Sequence, residues 1–189
     1  MSKVFVGGSR RLSRLNKEVR GRLDNIVKNR LTVLVGDANG ADRAVQEYLA
    51  SKGYDQVVVY CAGGECRNNL GKWPARHIGP RDKVRRDFAY YATKDRSMAD
   101  ETDYGLMLWD GKSRGTLTSI VDLMRRGKPV VVYFSPSRAF QTLSNREDLA
   151  VLSRWVKPDL LRRIERDLHA TGEASLFGPH HRAGNMVLF

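Results

Sequence analysis

Three times in this chain an apolar run meets a glycine-containing turn and then a helical pattern. Lys3–Val6 runs into Gly7-Gly8-Ser9-Arg10. Leu31–Val35 (LTVLV) runs into Gly36-Asp37-Ala38-Asn39-Gly40-Ala41-Asp42-Arg43. Tyr104–Trp109 runs into Asp110-Gly111-Lys112-Ser113-Arg114-Gly115-Thr116. Two further β-branched runs, Gln56–Tyr60 (QVVVY) and Pro129–Phe134 (PVVVYF), complete a set of five. Short buried-type strands alternating with helical segments predict an α/β fold, with a doubly wound and mainly parallel sheet of about five strands. In such sheets ligands sit beyond the carboxyl ends of the strands. All three glycine turns would lie at that edge.

Between the strands the apolar residues recur with helical period. Leu15, Val19, Leu23, Ile26 and Val27 mark one helix, and Ala44, Val45, Tyr48 and Leu49 a second. Arg81–Glu101 is a charged third, with Val84, Phe88 and Tyr91 on one face. Gly115–Arg126 is a fourth, with Gly127 as its C-cap. Cys61–Pro80 reads as a long binding loop, in which Trp73 could stack on a base and Arg67, Arg76 and Arg81 could meet phosphate. After Phe134 the character changes. Ser135–Ser144 reads as a linker, Glu147–Val156 and Asp159–His169 as two helices broken at Lys157-Pro158, and Thr171–Phe189 as a tail. The expected division is a ligand-binding domain over 1–134 and a helical extension over 135–189.

The formal net charge is +12, of which residues 1–133 carry +10, so the excess lies in the body and not in a basic tail. A basic body suits an anionic partner such as a nucleotide or a nucleic acid. Hydrophobic residues make up 41% of the chain, enough for a packed core, which excludes global disorder. Cys61 and Cys66 are expected as reduced thiols, because no second Cys pair completes a zinc site and His77 would only make a three-ligand set. No metal and no cofactor are expected. The N-terminal MSKVFVGGSRR lacks a signal-peptide pattern and no segment approaches membrane-spanning length, which points to a cytoplasmic protein without a membrane partner.

Each turn offers phosphate chemistry. Gly7 and Gly8 permit close backbone approach, and Ser9 and Arg10 supply donors. Gly36 and Gly40 do the same at the second turn, where Asn39, Asp42 and Arg43 surround the helix start. Asp37 there can bind a ribose hydroxyl or act as a base. The third turn, with Gly111, Lys112, Ser113, Arg114, Gly115 and Thr116, opens a helix whose N-terminal amides attract anions. Asp110 stands at the strand's end, where ligand atoms would lie. The G-x-G-x-x-G fingerprint is absent, so a dinucleotide site is not indicated.

VFVGGSR (Val4–Arg10), GDANGADRA (Gly36–Ala44) and KDRSMADETDYGLMLWDGKSRGT (Lys94–Thr116) together resemble the SLOG superfamily. This Rossmann-like group includes the LOG phosphoribohydrolases and the DNA-processing protein A fold, and the nearest resemblance is to its small YspA/YpsA-related branch. The resemblance spans about residues 3–134. It implies phosphate binding at Gly111, Ser113, Gly115 and Thr116, a ligand role for Lys94, and self-association into a homo-oligomer. The LOG pattern has Arg and Lys where Lys94 and Asp95 stand, and its catalytic Glu falls on Ser119. A serine cannot stabilise an oxocarbenium-like sugar or activate water as a carboxylate does. The leading expectation is therefore binding of a nucleotide or nucleotide-derived ligand, as in a sensor. The alternatives are nucleotide N-glycosidase chemistry on Asp110, Asp37 or Asp95, and single-stranded nucleic-acid binding with Trp73, Tyr90 and Tyr91 as stacking residues.

Overall fold

The computed structural model describes residues 1–79, 88–145, 148, 152 and 154–170. Seven strands form one sheet: β1 (Lys3–Gly8), β2 (Thr32–Gly36), β3 (Val57–Ala62), β4 (Ala75–Ile78), β5 (Tyr104–Trp109), β6 (Val130–Phe134) and β7 (Ala139–Leu143). Their order is β4-β3-β2-β1-β5-β6-β7. Every pairing is parallel except β6–β7. The chain winds outward from β1 to β4, then crosses back to β5 and winds the other way. The reversal falls between β1 and β5, the switch point where a doubly wound sheet opens a crevice.

The helices are α1 (Lys17–Lys28), α2 (Ala41–Ser51), α3 (Phe88–Glu101), α4 (Arg114–Arg125) and α5 (Pro158–Ala170). Strand alternation sorts the core into two halves. Val4, Val6, Val33, Val35, Val57 and Val59 face α1 and α2, packing on Val19, Leu23, Val45 and Leu49. Phe5, Leu34, Met107 and Trp109 face the other way, onto Met98 of α3, Leu117 and Ile120 of α4, and Ile164 of α5. Local signals set the helix ends. The Asn16 side chain accepts the Val19 amide at the start of α1, and Ser113 accepts the Thr116 amide at the start of α4. Pro158 opens α5, where its missing amide costs nothing.

Several expectations need correction. Gly7 and Gly8 are not in the turn: they are the last residues of β1, paired with Met107 and Leu108. Ser135–Ser144 is not a linker. It contains β7, which adds to the sheet's edge through register pairs such as Val132↔Gln141. The Cys61–Pro80 segment is not all loop either, since it starts in β3 and carries β4. Cys61 and Cys66 are not free thiols: they are disulfide-bonded with Cα atoms 5.1 Å apart. The loop between them is short enough to bring the two side chains face to face. The first part of the expected Arg81–Glu101 helix, half of Glu147–Val156 and the whole of Thr171–Phe189 lie outside the described residues.

Trp73 belongs to the core. It is 8% exposed, and its Nε1–H donates to the Tyr54 carbonyl at 2.8 Å. Gly71 leaves room for the indole, since a Cβ there would sit 2.2 Å from it. Trp73→Phe is expected to cost about 1–2 kcal/mol, from lost ring volume and the orphaned Tyr54 carbonyl. Ligand affinity should stay unchanged. A urea melt and a parallel binding titration check both parts, and a large loss of affinity at wild-type stability would restore a stacking role.

Candidate functional site

The carboxyl edge at the β1–β5 reversal holds a cleft of about 640 Å³, walled by α3 on one side and the start of α4 on the other. Among its lining residues are Gly7, Gly8 and Arg10 from the first turn region, Asp42 from the second, and Asp110, Lys112, Ser113, Gly115 and Thr116 from the third. Lys94 reaches in from α3. The three turns thus meet at one edge.

Other expected residues stand beside the cleft rather than on it. Ser9 is buried beneath it. Its amide donates to the Leu108 carbonyl at 2.9 Å, its carbonyl accepts the Ala41 amide at 3.3 Å, and its hydroxyl donates to Asp110 Oδ1 at 3.0 Å. One residue therefore ties all three turns together. Arg43 lies on the exposed side of α2, paired with Glu47 at 2.9 Å. Asn39 accepts the Asn68 side-chain amide at 3.0 Å. Gly111 has φ of +74°, which favours glycine, and packs on the Phe134 ring. Arg114 is the first residue of α4.

The glycines of the turns mostly serve packing. A Cβ on Gly36 would lie 2.3 Å from Asp42 Oδ2 and 2.4 Å from Lys94 Nζ. Gly36 is therefore small because a buried acid and a buried lysine lie against it. At Gly40 the space is filled by the backbone of Arg10. Gly115 differs, with nothing within 4 Å of its would-be Cβ. It occupies the first turn of α4, where amides lack intrahelical acceptors. That is the part of the third turn best suited to receive an anion.

The two carboxylates expected to do chemistry are both engaged. Asp110 Oδ1 accepts the Lys112 amide at 3.0 Å and the Ser113 amide at 2.7 Å, in addition to Ser9. Burial pushes its pKa up, but those amides and the Ser9 hydroxyl outweigh burial and hold it below the ordinary value. Asp37 is 1% exposed and forms a two-pronged pair with Arg67, Nη2 to Oδ1 at 2.7 Å and Nε to Oδ2 at 3.0 Å. The Arg67 amide adds a third bond at 3.1 Å. Burial raises the Asp37 pKa, yet the Arg67 bonds and the charge of Lys94 prevail and lower it.

Two further titratable groups lie deeper. Lys94 is 4% exposed, with Nζ 3.2 Å from Asp95 Oδ1 and 3.9 Å from Asp37 Oδ1. Burial opposes its charge, but Asp95, Asp42 and Asp37 together overcome this and raise its pKa. Asp42 is pushed up to about 6, chiefly by burial, with Lys94 opposing and Asp95 adding to the rise. Its carboxylate accepts the Ala38 amide at 3.2 Å. A carboxyl that titrates near neutrality in a cleft beside a lysine is equipped to exchange protons or to bind sugar hydroxyls.

Sequence reasoning offered Tyr91 as a base-stacking residue but missed the arginines that cover it. Tyr91 lines the cleft with two guanidinium groups on its ring, Arg10 at 5.4 Å and Arg67 at 5.0 Å from the centroid. It also missed the apolar floor of Phe5, Met98 and Met107. Strand alternation offered a signal for the floor, since Phe5, Gly7 and Met107 share one face of the sheet. Ser119 also lines the cleft, and its hydroxyl donates to the Gly115 carbonyl at 3.1 Å, a bond inside α4.

With this geometry in hand, comparison with solved structures becomes informative. The fold is similar to that of DNA processing protein A from Helicobacter pylori. The match has a TM-score of 0.54 at 15% identity and covers 89% of this chain and 81% of the other. That structure was described for the single-stranded DNA binding mode of its protein. The doubly wound, Rossmann-like α/β architecture expected from the sequence therefore holds at the level of fold. No protein-family model matches the sequence, and no curated protein matches it. Among the described residues no helix is long and apolar enough to cross a membrane.

Proposed function

We propose that the cleft binds a nucleotide or nucleotide-derived small molecule. The observation that carries this reading is the polarity of the cleft. The first turn of α4, Arg10 and Lys112 line its outer part, and the Asp42–Lys94–Asp95 cluster its inner part. A phosphate suits the first and ribose hydroxyls or base amines suit the second. The Phe5–Met107 floor provides apolar surface for a base. About 640 Å³ is room for one nucleotide unit. The motifs Gly36–Ala44 and Trp109–Thr116 assign the chain, on this reading, to the YspA/YpsA-related branch. A homo-oligomer belongs to the same reading, on the resemblance alone.

Binding is favoured over N-glycosidic hydrolysis through Asp110 or Asp37, because amides and Arg67 occupy those carboxylates. Should turnover occur, Asp42 is the better acid–base group. A second reading is single-stranded DNA binding, which rests on the net charge of +12 and on the ligand of the structural neighbour.

One titration series separates these readings. Mononucleotides are expected to bind with affinity that does not grow with oligonucleotide length and varies little with salt. Arg10→Ala should weaken mononucleotide binding by about 10-fold or more, the loss of one charge-assisted hydrogen bond, at unchanged stability. Affinity that rises with strand length and falls steeply with salt would favour DNA. Release of free base that is lost in Asp42→Asn would favour the hydrolase.

A further inference from the structure

On the flank of the sheet away from the cleft's centre, β3 and β4 set up a second group of chemically active side chains. Cys61 is the penultimate residue of β3, and its register partner on β4 is His77. Adjacent positions on parallel strands place both side chains on the same face of the sheet. The chain then doubles back through Gly63, at φ of +83°, and returns Cys66 to the same spot. The ligand atoms of Cys61, Cys66 and His77 lie within 4.8 Å of one another.

We propose that, once the Cys61–Cys66 disulfide is opened, these three residues form a chelating site for a soft divalent cation of the zinc type. Two thiolates and an imidazole are the donor set that zinc selects over harder cations. Tetrahedral geometry with zinc–sulfur bonds near 2.3 Å needs sulfurs about 3.7 Å apart, a small outward movement from the bonded pair. The imidazole is held at Nδ1, 3.0 Å from the Gly63 carbonyl. That contact requires the proton on Nδ1 and leaves the lone pair on Nε2, as carbonyl partners do for metal-binding histidines. Among the described residues no fourth Cys, His, Asp or Glu joins the group. Water or an external ligand would complete the tetrahedron, as in open three-ligand sites.

The chemistry balances simply. A phosphine reductant takes oxygen from water and becomes the phosphine oxide, while the disulfide gains two electrons and two protons to give two thiols. Metal binding then releases both protons as the thiolates coordinate. The site holds the same loop that the disulfide holds, and that loop continues into Arg67 and Asn68, which grip Asp37 from both sides.

The test uses the full chain, reduced with a phosphine under argon and titrated with Co²⁺. One equivalent is expected to produce thiolate-to-cobalt charge transfer and the intense visible bands of tetrahedral cobalt, erased by one equivalent of Zn²⁺. The oxidised chain should give neither. Cys66→Ser should abolish the spectrum while circular dichroism confirms the fold, and His77→Ala should weaken Co²⁺ binding by about 10-fold or more. A reduced wild-type chain without tetrahedral bands would overturn the proposal. Bands that persist in Cys66→Ser, or an undiminished affinity in His77→Ala, would overturn it equally, since the ligands would then lie elsewhere.

Discussion

Lys94→Met is expected to lower stability by about 3–5 kcal/mol at pH 8, the usual cost of removing one partner from a buried ion cluster. In a chain of this size that corresponds to a fall in Tm of roughly 10 °C. Methionine keeps the apolar stem of the lysine, so the loss is one of charge and not of packing. Asp37 at 1% exposure, Asp42 at 7% and the half-buried Asp95 would then face one another, with Arg67 paired to Asp37 alone. The deficit should shrink at pH 5, and the sign follows from Asp42. Its folded pKa, about 6, lies above the ordinary 3.8. The folded state therefore holds that proton more tightly, and stability is lost as pH rises from about 4 through 6. Without Lys94 the chief opposing influence on that rise is gone, so Asp42 protonates even more readily and the variant recovers on acidification. Asp37 behaves oppositely, because its pKa is lowered and its contribution disappears as pH falls below the ordinary carboxylate range. Urea unfolding at both pH values measures the effect. Equal destabilisation at pH 5 and pH 8 would contradict the cluster's electrostatic role.

Gly40→Ala should be nearly as damaging, at about 3–5 kcal/mol. Gly40 has φ of +85° and ψ of −126°, a conformation that costs a residue with a Cβ about 1–3 kcal/mol. The new methyl would also lie 2.1 Å from the Arg10 carbonyl oxygen and 2.5 Å from its Cα. These are backbone atoms, so no rotamer change relieves the clash, and overpacking adds about 1–3 kcal/mol. Gly53 supplies the control. Its φ is +62°, but nothing lies within 4 Å of its would-be Cβ. Gly53→Ala should cost only about 1 kcal/mol. If thermal denaturation finds the two variants alike, the contact between the first and second turns does not hold the edge together.

The sheet was legible because its signals are local. Buried strands such as Tyr104–Trp109 carry their own β-branched or apolar run and end at a turn, and that strand was expected with the bounds it has. The strands that escaped notice, β4 and β7, occupy the two edges. An edge strand buries less, so its residues stay polar: the ARHI of β4 is almost wholly exposed and AFQTL reads like a loop. The convergence of three turns followed from topology alone. Their inner chemistry did not. Nothing local in Gly36 says that Lys94, 58 residues later, will lie against it, or that Arg67 will claim Asp37. Nor does a C-x4-C spacing reveal that His77 will sit opposite Cys61, since that depends on strand register. Trp73 misled for a related reason, because a tryptophan in a glycine-rich loop looks like a ligand-stacking residue until the packing of Gly71 and Tyr54 is seen.

Ser9 joins the ends of β1 and β5 to the starts of α2 and α4 through its amide, carbonyl and hydroxyl. With Gly40 wedged on Arg10, the edge is locked at the level of the main chain. Its conformational entropy is surrendered when the protein folds, before any ligand arrives. On the proposed reading, a guest would meet walls already in place, and discrimination would rest on fit to a preformed mould rather than on closure around whatever enters.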